Sequence, residues 1–134
     1  MIKRTLKPIA RHYSNNGQHA EQVYRYNLTG KITKADNLSH KAGADCGNVQ
    51  IKSPRATVCE GTLNIAKYLE EDAATIYALV TSDFTTAYEM NRAEYIEFAT
   101  EFKTIDCNSK TNAIKIRIKH ESKRMIEWLE ARVG

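Results

Sequence analysis

The sequence predicts a mixed α/β (α+β) domain with a central mixed sheet flanked by helices. Three observations carry this. Thr75-Ile76-Tyr77-Ala78-Leu79-Val80-Thr81 is a continuous apolar run of strand length, suited to a strand buried on both faces. Ile114, Ile116 and Ile118 alternate with Lys115, Arg117 and Lys119, the period of a half-buried strand. Several other segments place apolar residues at helical spacing between turn signals. A length of 134 residues with 42% hydrophobic content fits a single domain, 1–134, with one sizeable core.

Taken in order, residues 1–12 read as a basic arm or a short edge strand. Ser14-Asn15-Asn16-Gly17 offers helix N-cap residues, and Ala20, Val23, Tyr24 and Asn27/Leu28 then share one helical face. Gly30 ends this helix, predicted over 16–29. Lys31 to Lys34 suits a short strand, and Ala35 to Gly43 a polar loop. Residues 43–53 read as a tight β-hairpin around Gly47-Asn48, a two-residue turn of the glycine-first kind. Pro54 interrupts it, and Arg55 to Cys59 continues extended. Thr62 to Glu71 reads as a helix with Leu63, Ala66 and Leu69/Glu70 along one side. Thr85 to Met90 is the strand antiparallel to 75–81. Asn91 caps a helix, with Glu94 at the capping-box position and Tyr95, Phe98, Ala99 and Phe102 as its apolar face. A final helix, about 120–132, turns Met125, Trp128 and Leu129 inward.

Composition narrows the function classes. No segment approaches the roughly 18 uncharged apolar residues of a membrane span. The basic N-terminus leads into no apolar stretch, so no secretory signal is expected. Three cysteines, Cys46, Cys59 and Cys107, form no CxxC and no zinc-finger spacing, and read as reduced thiols in a cytoplasmic protein. The net charge is +4 but is segregated: residues 1–12 hold four bases and no acid, whereas 60–106 hold three bases against ten acids. The basic ends are the segments able to face a polyanion. Lys3, Arg4, Lys7 and Arg11 form one candidate DNA-contact set. Lys115, Arg117 and Lys119 on one strand face form another, because lysine and arginine grip phosphates without reading sequence. The four histidines have no partner at ligand spacing, and no Ser/His/Asp or Gly-rich phosphate motif stands out.

The hairpin carries the chemistry. A two-residue turn sets the register, so Cys46 faces Val49 and Asp45 faces Gln50. Lys52, two residues on, shares their face, while Val49 and Ile51 point to the core. A carboxylate, an amide oxygen and an ammonium thus converge on one side. A hard cation such as Mg²⁺ accepts such oxygen ligands, and the Ile51 main-chain carbonyl is a further candidate. Lys52 is suited to assist an attacking water or to stabilise charge on a phosphate.

Asp45, Gln50 and Lys52 resemble the signature of the PD-(D/E)XK nucleases of restriction-endonuclease-like fold: an acid on one strand, then an acid, any residue and a lysine on the next. The element order over about 16–82 is similar to that family's αβββαβ core, leaving 83–134 as C-terminal strands and helices. Gln50 stands where the family usually has an acid, and the spacing from Asp45 is short. Asp36 is the alternative first acid, in a polar loop. The resemblance implies a Mg²⁺-dependent (or Mn²⁺-dependent) DNA endonuclease, with Asp45, Gln50 and the Ile51 main chain holding the metal. It also implies an acid from the first helix near the metal, here Glu21, whose alternative role is an i,i+4 pair with Arg25. Double-strand cleavage by so small a chain would need a homodimer. The runner-up is a catalytically inactive binding protein of the same fold, holding DNA or, as a phage or mobile-element product, blocking a host enzyme. A third reading is a protein-interaction module around Glu70-Glu71-Asp72.

Overall fold

The computed structural model describes residues 1–31, 47–108, 110 and 113–134. Its described elements are β1 (Ile2–Thr5), α1 (Asn16–Thr29), β2 (Val49–Lys52), β3 (Thr57–Glu60) and α2 (Ile65–Leu69). They continue with β4 (Ile76–Val80), β5 (Thr86–Asn91), α3 (Arg92–Phe102), β6 (Thr104–Asn108), β7 (Ala113–Arg117) and α4 (Lys123–Glu130). The mixed α+β class expected from the sequence is what forms, but the strands divide between two sheets. One is ordered β1-β5-β4-β2 and the other β3-β7-β6.

The first sheet follows from burial. β4 is the apolar run, and four of its five residues are buried. It pairs antiparallel with β5 (Tyr77 opposite Met90, Leu79 opposite Tyr88) and parallel with β2 (Ile51 opposite Ala78). Its side chains therefore feed two cores. Ala78 and Val80, with Val49, Ile51 and Ala87, pack under Ala20, Val23 and Tyr24 of α1. Tyr77 and Leu79, with Tyr88 and Met90, face the second sheet and α2, α3 and α4. The result is three layers: α1, the first sheet, then the second sheet with the remaining helices. The N-terminal segment is an edge strand rather than a loose arm, because β1 pairs with β5 in the register Ile2 to Glu89.

Capping sets the helix ends. The Asn15 side chain accepts from the Gln18 N–H, and Gly30 ends α1 at φ +71°, a left-handed conformation that suits glycine. Asn91 and Glu94 form a complete capping box at α3. The Asn91 N–H bond is the main reason the Glu94 carboxyl sits below the usual carboxylate range. Asn91→Ala is expected to cost about 1 kcal/mol, measured as a lower urea midpoint with an unchanged m-value.

Two expectations are corrected. The helix expected over 62–71 is only Ile65–Leu69, and its inward residues are Ile65 and Leu69. Leu63 is 53% exposed, because Asn64 caps the helix one residue after it. β6 was not expected: it exists by pairing with β7, with Ile105 opposite Ile116 and Cys107 opposite Ile114. The predicted strand 31–34, loop 35–43 and first hairpin strand fall almost wholly outside the described residues. Of the hairpin, Gly47 takes φ +58°, as a glycine-first turn requires.

His19 is buried on α1 with its ring edge-on to Phe84, 4.6 Å between centroids. Its Nδ1 has no hydrogen-bond partner among the described residues. Burial first, then the charges of Arg11 and His12, push its pKa below 6.5. The unfolded chain therefore takes the proton more readily than the folded one. The His19 contribution is complete above the unfolded pKa of about 6.5 and is lost as pH falls from there through the lower folded pKa. Urea midpoints at about pH 7.5 and about pH 5 should differ less in His19→Phe than in the wild type. An equal difference in both would assign the acid limb to other groups.

Candidate functional site

β2 is built with one face in the core and one in a cleft. Val49 and Ile51 are buried at 7% and 6% exposure, while Gln50 and Lys52 are half-buried on the opposite side. The period of two predicted this split, and the parallel pairing with β4 makes it rigid. Gln50 and Lys52 line a cleft of about 760 Å³, closed by β3, α2 and the segment leading to β4. Three acids share its lining: Glu60, Glu71 and Asp72.

Each of these groups has a defined environment. Lys52 Nζ donates to the Thr57 carbonyl at 3.3 Å, across the turn in which the Ala56 N–H bonds the Ser53 carbonyl at 3.0 Å. Gln50 Oε1 is buried and accepts no hydrogen bond from the described residues. A buried acceptor left without a donor costs about 1–3 kcal/mol, so this oxygen favours a donor or a cation entering the cleft. Asp72 is structural: it accepts from the Ala74 N–H at 3.0 Å and the Tyr77 hydroxyl at 3.2 Å. Burial, and then the Asp72 charge, push the Tyr77 phenol up. Arg92 anchors the same turn through the Asp72 and Ala74 carbonyls at 3.0 and 2.9 Å. Glu60 pairs with Lys115 at 3.5 Å across the second sheet. The acids of this wall come from two separate segments, Glu60 on β3 and Glu71-Asp72 after α2.

The other expected site residues are dispersed. Asp45, its alternative Asp36, Cys46 and His40 lie outside the described residues. Glu21 lies on α1, which covers the Val49 and Ile51 face, opposite the side of the sheet that carries Gln50 and Lys52. Ile51 contributes its side chain to the core, and its main chain lies between the two cleft residues. Among the described residues there is no cluster of three or more His, Cys, Asp or Glu able to hold a metal ion.

The two expected basic sets are largely tied to acids. Lys3 pairs with Glu130 at 2.6 Å and Arg4 with Glu89 at 3.1 Å. Glu89 also accepts from the Tyr24 hydroxyl. The Lys7 N–H bonds Asn27, and Arg11 folds back on the Tyr13 and Ser14 carbonyls while lying 5.6 Å from the Phe84 ring centroid. Arg117 at the end of β7 and Lys119 just after it approach Asp106 at 4.0 and 3.0 Å. The outer face of the second sheet is thus a ladder of alternating sign. No helix among the described residues is long and apolar enough to cross a membrane. Comparison with family models, curated proteins and solved structures finds no match to this chain.

Proposed function

We propose that the chain is a divalent-metal-dependent phosphodiesterase acting on DNA, with its reaction centre in the β2 cleft. One observation carries the reading. Gln50 and Lys52 share one face of one rigid strand and line one cleft, and the Gln50 amide oxygen is buried without a donor among the described residues. Between α1 and α2 the described strands are β2 and β3, against three in the αβββαβ core of the PD-(D/E)XK nucleases, and β3 joins the second sheet. The free acceptor suits a hard cation, whose neutral oxygen ligands include amide carbonyls. Asp45 and the Ile51 main chain would complete the protein's share of that ligand set; Glu21, on the α1 side of the sheet, takes no part in it. A bound Mg²⁺ or Mn²⁺ supplies Lewis-acid polarisation of a phosphate oxygen.

The residues of the chain do the rest. Gln50 orients by its amide oxygen. The Thr57 carbonyl accepts a hydrogen bond from the Lys52 ammonium and helps hold it at the cleft wall. Water attacks phosphorus, one P–O ester bond breaks, and the leaving oxygen takes up a proton. The Lys52 charge lowers the energy of the more negative transition state.

The test is cleavage of supercoiled plasmid with Mg²⁺ or Mn²⁺ against EDTA, for the wild type, Lys52→Ala and Asp45→Ala. Cleavage by the wild type alone supports the reading, and equal rates in all three overturn it. The neutral Gln50 favours a second reading, a DNA-binding protein without catalysis. Strongly salt-dependent DNA binding with no metal-dependent cleavage would select it.

A further inference from the structure

A second cleft, of about 370 Å³, opens where β2 and β4 end and α1 begins. Its lining joins the segment after β2 (Ser53, Arg55), the segment after β7 (Lys119, His120) and Asn16 at the start of α1. We infer that this cleft binds a backbone phosphate of the nucleic acid. The inference rests on the proposed function and adds where the strand is held beside the reaction centre.

Three observations support it. First, the cationic groups come from distant parts of the chain and meet only here, with a cavity between them. Second, Arg55 is presented on a pinned turn. Its carbonyl accepts from Arg117 Nη2 at 3.5 Å, and the next carbonyl, of Ala56, accepts from the Ile118 N–H at 3.0 Å. Its side chain is exposed and thus available to a ligand. Third, α1 is 14 residues long and has no acid in its first turn, so the positive end of its dipole at the cleft is not offset there. One carboxylate, Glu121, also lines the cleft. It is held by the Ser82 N–H at 3.2 Å and the Ser82 hydroxyl at 2.5 Å. Lys119 shares its charge with Asp106 at 3.0 Å.

The two clefts flank one turn. Lys52 and Thr57 line the first, and Ser53 and Arg55, between them in the chain, line the second. A phosphodiester backbone crossing this turn would place one phosphate at Lys52 and a neighbouring one at Arg55 and Lys119. Such contacts fix the register of a strand without reading its sequence.

The experiment is fluorescence anisotropy of a labelled DNA oligonucleotide, in EDTA, over a salt series. It uses the wild type, Arg55→Gln, Lys119→Gln and a control, Lys103→Gln, which removes a positive charge outside the cleft. Arg55→Gln and Lys119→Gln should each weaken binding several-fold and reduce the slope of log affinity against log salt by about one. Lys103→Gln should leave the slope at the wild-type value. Wild-type slopes in both cleft variants overturn the phosphate cleft while leaving the cleavage reading to its own test with Lys52→Ala. No binding by the wild type at low salt overturns both.

Discussion

Replacing Lys52 by alanine is expected to slow metal-dependent phosphodiester cleavage by about 10²–10³-fold, the loss typical of one preorganised charge at a developing oxyanion. The ammonium is aimed into the cleft from a strand paired along its whole length with β4, and the Thr57 carbonyl holds it. Its position is therefore set before substrate arrives, so it stabilises developing charge without reorganisation. Lys52 is half-buried and its hydrogen bond to the Thr57 carbonyl is long, so the folded state should lose about 0.5 kcal/mol. A rate collapse with an unchanged urea midpoint is the expected signature. DNA affinity should fall only by the worth of one phosphate contact. A rate within threefold of wild type would remove Lys52 from the chemistry.

Phe98→Ala should produce the largest loss of stability, about 3–5 kcal/mol. Phe98 is 0% exposed in the larger core. Its ring centroid lies 6.4 Å from Tyr95, 5.3 Å from Phe102 and 5.9 Å from Trp128. Tyr95 in turn stacks on Tyr77 of β4 at 4.4 Å. Truncation leaves a cavity where α3, α4 and the first sheet meet, and rigid rings on every side limit its collapse. Such a loss is a large fraction of the ~5–15 kcal/mol that holds a domain folded. Denaturant unfolding measures it, with Leu63→Ala as the exposed comparison, expected within about 0.5 kcal/mol. Similar midpoints for the two variants would contradict the packing described.

Local chemistry made much of this fold legible. α1 runs from Asn16 to Thr29 as predicted, because Asn15 and Gly30 punctuate it by hydrogen bonding and left-handed backbone. β4 forms from an apolar run, and β5 returns antiparallel beside it across a short turn. The capping box at Asn91 and Glu94 is local by construction. What local chemistry missed is non-local. β6 has an exposed Ile105 and no burial pattern of its own, and it is a strand only because β7 offers it unpaired backbone groups. Ile65 and Leu69, rather than Leu63 and Ala66, turn inward because the cap at Asn64 sets the phase of a helix of only five residues.

The candidate site divides along the same line. The sequence alone determined that Gln50 and Lys52 share a face and that Val49 and Ile51 oppose them, since the period of a strand is a backbone property. It also determined the segregation of charge, the bounds of α1 and the capped start of α3. Only the tertiary structure decided what that face looks onto: a cleft whose wall brings Glu60, Glu71 and Asp72 opposite β2. It likewise tied Lys3 and Arg4 to Glu130 and Glu89, and gathered Arg55, Lys119 and the start of α1 around a second cleft. The reason is physical. Which residue follows which sets dihedrals and faces, but which distant segments meet depends on how sheets and helices bury their apolar faces together.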